Sequence, residues 1–166
     1  MRHARAALGL ALAIALPGTA SVAAEPLDEG KLQVLSCLEQ LDQGVEWSQC
    51  LDLMFGPCVD HAVGSQPHLA CLGEERQAWR LVLEDLQAQV FEAVTPLGAS
   101  ELATLLGQWT GYVVQKCEAV GLARADISAE AGQLGCEITE MVGLSGEFAA
   151  CLEGRSAAPY CSYPQN

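Results

Sequence analysis

The residues of this chain best equipped for covalent chemistry are Cys37, Cys50, Cys58, Cys71, Cys117, Cys136, Cys151 and Cys161. Thiols hold a metal or exchange electrons when two of them converge on one centre, for which the usual device is a C-x-x-C turn. Here the separations are 13, 8, 13, 46, 19, 15 and 10. No metal or cofactor site is expected from them. An even number of cysteines in an oxidising compartment reads instead as four disulfides. The competing reading is a metal or redox carrier that keeps its thiols free.

Other candidate chemistry is thin. A nucleophilic enzyme needs a base beside its nucleophile, oriented by a third group. His61 and His68 flank one expected loop, with no nucleophile elbow and no H-E-x-x-H motif, so they read as loop histidines exposed to water. The acid pairs Glu74/Glu75 and Glu137/Glu140 have the residue types for glycosidase work, and Glu137 and Glu140 would share a helix face. Nothing in the pattern builds the apolar pocket that raises one carboxyl of such a pair. Gly143-Leu-Ser-Gly146 is too short for a phosphate loop and lacks the following lysine. The chain is therefore expected not to be an enzyme.

The compartment comes from the N-terminus. Arg2 and Arg5 precede an apolar run from Ala6 to Leu16, Pro17-Gly18 breaks it, and Val22-Ala23-Ala24 gives a small-residue cleavage pattern. The run is too short for the ~20 residues that a bilayer-spanning helix requires. A cleaved signal peptide over 1–24 is expected, with export to the periplasm or beyond and no stable membrane anchor. A single domain over 25–166 follows. The signal removes two of the eight Lys and Arg and none of the 21 Asp and Glu, leaving a net charge of −15. Such a surface disfavours nucleic acid and anionic membranes and favours basic partners.

Hydrophobic spacing is helical almost throughout, and no alternating β-branched run suggests a strand. Leu32, Leu35 and Leu38 mark a first segment; Trp47, Cys50, Leu51 and Met54 mark a second; Cys58–Ala62 predicts a turn or two. Gly64-Ser-Gln-Pro67 reads as a loop. The strongest stretch runs from Pro67 to Val94, with Leu72, Trp79, Val82, Leu83, Leu86 and Val90 on one stripe and Glu74, Glu75, Arg76, Arg80, Glu84 and Asp85 on a solvated face. Pro96 and Gly98 should end it. Ser100 is the expected cap of a fourth helix carrying Leu102, Leu105, Leu106, Trp109, Val113 and Cys117, closed by Gly121. Leu134, Ile138, Met141, Phe148 and Leu152 predict a last helix, weakened by Gly143 and Gly146, before an irregular tail from Gly154 that needs a tether. The expectation is an all-α, disulfide-stapled bundle of about four to five helices, its tryptophans in the core.

Two stretches carry a family resemblance: Cys71-Leu-Gly-Glu-Glu-Arg-Gln-Ala-Trp79-Arg-Leu-Val-Leu83, and Gln108-Trp109-Thr-Gly-Tyr112-Val-Val-Gln-Lys-Cys117-Glu118 followed by Ala131-Gly-Gln-Leu-Gly-Cys136. Together they resemble the LprI-type lysozyme-inhibitor domain family, small exported helical proteins of bacteria, over about 58–152. Val113 stands where that family commonly has arginine, and Gln108 directly precedes Trp109 where two residues usually intervene. Met141 and Leu144 lie near positions where the family has threonine and arginine. By position the resemblance implies that Cys58 pairs with Cys71 and Cys117 with Cys136. Cys37–Cys50 and Cys151–Cys161 are then the sequence-local remainder.

The function that the resemblance implies is inhibition of a lysozyme-like muramidase, with a basic lysozyme-like protein as partner. Inhibition needs an exposed element that fills the substrate cleft, and the Gly121–Ala129 linker and the His61–His68 loop are both candidates. The alternative is an envelope structural or interaction module without an enzyme target.

Overall fold

Three long helices make up most of the described part of the chain. The computed structural model describes Cys50 and residues 57–161, so the signal segment, the first predicted helix and most of the second lie outside the described residues. The helices are α1 (Gln66–Ala93), α2 (Pro96–Ala123) and α3 (Ala129–Leu152), with 3-10 turns at Pro57–Asp60 and Pro159–Cys161. The all-α architecture is as expected. Three α-helices among these residues is fewer than the four to five predicted for the whole chain.

Each helix starts on a hydroxyl. Ser65, Thr95 and Ser128 are extended, and their side chains accept hydrogen bonds from the backbone N–H of His68, Gly98 and Ala131. A cap of this kind satisfies one of the N–H groups that the first turn leaves unpaired. Pro96 therefore opens α2 and does not merely end α1. It biases Thr95 toward the extended conformation that a cap needs, and its own missing N–H costs nothing at the first helical position. Ser100, the predicted cap, lies exposed inside α2. Ser65 and Pro67, read as loop, are the cap and the first turn of α1.

The central element is α3. Both α1 and α2 pack along it and make little contact with each other. Its buried side includes Leu134, Ile138, Met141, Leu144 and Phe148, so packing carries the helix through Gly143 and Gly146 without a break. Two ion pairs reinforce the arrangement: Glu137 takes Arg76 of α1 at 3.0 Å, and Glu140 takes Lys116 of α2 at 2.5 Å. The two carboxylates thus reach opposite neighbours.

The core centres on Trp79, Val82, Leu102, Ile138 and Phe148, and Cys50 is buried within it. The α2 stripe is shallower than its spacing predicts. Leu102, Val113 and Cys117 are buried, Leu106 and Trp109 are half-buried, and Leu105 is exposed, because α2 leans on one helix and not on two. Gly121 does not close α2. It sits two residues before the end, where a methyl group would come within 2.4 Å of the Ala129 carbonyl oxygen. Gly132 meets the Gly121 backbone from the other side, so paired glycines bring the end of α2 against the start of α3.

Beyond α3 the chain turns through Gly154, whose φ of +69° and whose N–H bond to the Cys151 carbonyl end the helix in a left-handed cap. The tail then returns to the bundle. Tyr160 is buried edge-on against Phe148, its hydroxyl donates to Glu147, and its carbonyl oxygen lies so near Gly98 that a methyl there would stand 2.7 Å away. Burial, then the Glu147 carboxylate, pushes the Tyr160 hydroxyl well above the usual phenol range.

Candidate functional site

All seven described cysteines are disulfide-bonded. The bonds are Cys58–Cys71, Cys117–Cys136 and Cys151–Cys161, with Cα separations of 5.6, 5.3 and 5.4 Å, and Cys50 is bonded as well. Cys37 lies outside the described residues. The first two bonds close the two segments that carry exposed loops, and they anchor those loops at the second turn of α1 and the third turn of α3.

The structure brings those loops together. In the first, His61 N–H donates to the Cys58 carbonyl and Ser65 N–H to that of Ala62, so the chain makes two consecutive turns before α1. Gly64 takes a φ of +76° that a side chain would strain, and its N–H donates to Nδ1 of His68 at 3.2 Å. His68 is thus a half-buried member of the first helical turn and holds the loop from inside, whereas His61 is exposed as expected. In the second, Arg124 forks onto both carboxylate oxygens of Asp126 at 2.8 and 2.7 Å across the turn between α2 and α3. That guanidinium, aided by the backbone, holds the Asp126 carboxyl at about 2, so it stays ionised at neutral pH. A methyl on Gly64 would lie 3.3 Å from Ser128, which places the two loops side by side at one end of the bundle.

That end is apolar at its tips. Val59, Val63 and Leu122 are 71 %, 63 % and 76 % exposed, and Asp60, His61, Arg124 and Asp126 are exposed among them. Exposed apolar side chains among charged ones, on loops that cross-links anchor, suit association with another protein. The apolar side chains supply the burial and the anchoring lowers the ordering cost.

The remaining candidates fall elsewhere. Glu74 is exposed, but Glu75 is 4 % exposed and stands on the buried stripe of α1, contrary to the solvated face expected for it. Neither of its carboxylate oxygens has a hydrogen-bond partner, and the same is true of the Trp79 indole N–H one turn away. Burial lifts the Glu75 carboxyl to about 7, offset in part by the nearby Trp79 indole, although no well-formed hydrogen bond joins the two. The apolar surroundings that the sequence did not reveal are therefore present. They enclose Glu75 and leave its neighbour Glu74 in solvent. Ser145 is likewise buried without a partner.

No family model, no curated protein and no solved structure matches this chain. No helix among the described residues is long and apolar enough to cross a membrane, and no cluster of three metal-ligating side chains occurs among them.

Proposed function

We propose that this chain is an exported, acidic, non-enzymatic binding protein that inhibits a basic lysozyme-like muramidase and so protects peptidoglycan. The observation that carries the reading is the juxtaposition of the two disulfide-anchored loops, with Val59, Val63 and Leu122 exposed at one end of the bundle. The two loops predicted as alternative inhibitory elements act together. They enter the substrate cleft, and the surplus of acids on the chain speeds encounter with a cationic enzyme. The resemblance to lysozyme-inhibitor domains supports the target class, and the disulfides suit an oxidising compartment.

The test is the rate at which a basic lysozyme clears a peptidoglycan suspension, with and without the chain lacking 1–24. Slowed lysis at micromolar protein and low salt, with a weaker effect as salt rises, is expected. Undiminished lysis removes the proposal for that enzyme. One observation favours the second reading, an envelope interaction module without an enzyme target: Val113, at the family's arginine position, is buried and cannot make an arginine's contacts. Under that reading the same loops bind a partner that has no lytic activity.

A further inference from the structure

Because α1 and α2 both lean on α3 and not on each other, an open groove of ≈ 490 Å³ runs between them. Its volume falls within the ~300–1,000 Å³ typical of small-molecule sites. Leu83, Val113 and Met141, one from each helix, are the buried apolar residues lining it, and the half-buried Trp109 adds an aromatic surface. Its other side chains decide what fits.

The charges cancel: Arg76 pairs with Glu137 at 3.0 Å and Arg80 lies 3.8 Å from Glu84. In a chain of net charge −13 this neutral lining stands apart from the general surface. Two amides, Gln77 and Gln87, also line the groove and make no hydrogen bond among the described residues. The Thr110 hydroxyl donates to the Leu106 carbonyl, so its lone pairs remain available.

An acyl chain would desolvate these amides and guanidinium groups without replacing their hydrogen bonds. An anion would meet Glu84 and Glu137, and a cation would meet both arginines. The occupant that matches is uncharged, has apolar C–H faces for an aromatic ring, and carries many hydroxyls. We propose that the groove binds a neutral oligosaccharide, with one sugar ring against Trp109 and hydroxyls bonded by Gln77, Gln87 and the remaining donors of Arg80.

The experiment is a calorimetric titration of the chain lacking 1–24 with tri-N-acetylchitotriose, repeated with a neutral nine-residue peptide of alternating leucine and serine. Saturable binding of the sugar with a Kd on the order of 1 mM is expected. Trp109→Ala, measured at a temperature where the variant remains folded, should weaken it at least ~10-fold. If Trp109→Ala does not fold, the Gln77→Ala/Gln87→Ala double variant carries the test and should weaken binding by a comparable factor. Absence of saturable sugar binding to roughly 20 mM, unchanged affinity in a folded variant, or binding of the peptide in place of the sugar overturns the proposal. The groove is distinct from the loop end, so Val63→Ser/Leu122→Ser should leave sugar binding intact whether or not the muramidase reading holds.

Discussion

Glu75 shows how one side chain ties this fold to pH. A carboxyl whose folded-state pKa lies above its unfolded value contributes stability that is complete below about 4.5 and lost as pH rises through about 7. The acids and bases on the neighbouring elements do not offset this. Glu74 on its own helix is exposed, Arg76 and Arg80 are occupied by Glu137 and Glu84, and Asp60 and His61 lie exposed on the turn before α1. Glu75→Gln removes the ionisation. The variant and the parent should unfold alike at pH 4, and the variant should gain on the order of 3 kcal/mol by pH 8. Parallel stability curves from denaturant titration across that range would contradict the assignment. Position 75 stands three residues after Leu72 and four before Trp79, so spacing already put it on the buried stripe; its acidic side chain argued for solvent and hid it. Gly121 is a second single-residue test. A methyl there meets the Ala129 carbonyl oxygen at 2.4 Å and must push the helices apart. Gly121→Ala should cost about 1–3 kcal/mol, read from the shift of the denaturation midpoint.

At the scale of elements, cross-links and caps fix what helix propensity leaves open. After α3, Tyr160 and Cys161 are buried, and Cys151–Cys161 ties this segment back to the bundle. Cys151→Ser/Cys161→Ser should lower stability by ~2–4 kcal/mol. Limited proteolysis should then cleave after Arg155 in the double variant and spare the parent; equal resistance would show that Tyr160 alone holds the tail. The helical spans were legible because Leu72 to Val90 and Leu134 to Leu152 keep their spacing for several turns. Boundaries were less so. Thr95-Pro96 and Ser65-Gln-Pro67 each combine a cap with a proline, and a proline marks the start of a helix as readily as an end. The shallow burial of α2 and the meeting of the two loops were not legible, since both depend on which helix lies centrally and periodicity says nothing of that. The pairs Cys58–Cys71 and Cys117–Cys136 were implied only by resemblance and are the bonds found.

Across the whole molecule, acids outnumber bases, and the exposed large apolar side chains of the described residues fall in two places: Val59, Val63 and Leu122 at the loop end, and Leu97, Leu105, Tyr112 and Val114 along α2. Under the proposed function, long-range attraction would set how often a basic partner arrives, and the loop tips how long it stays. Salt should act on the first and substitution at the tips on the second. The Val63→Ser/Leu122→Ser variant alters no charge and removes only exposed apolar groups. Inhibition of a basic lysozyme by this variant and by the parent, measured side by side at low salt, tests the central claim most directly. The account predicts inhibition by the parent and a loss of at least ~10-fold in potency for the variant, with its unfolding temperature unchanged. Equal potency of the two proteins, or no inhibition by the parent, would contradict it.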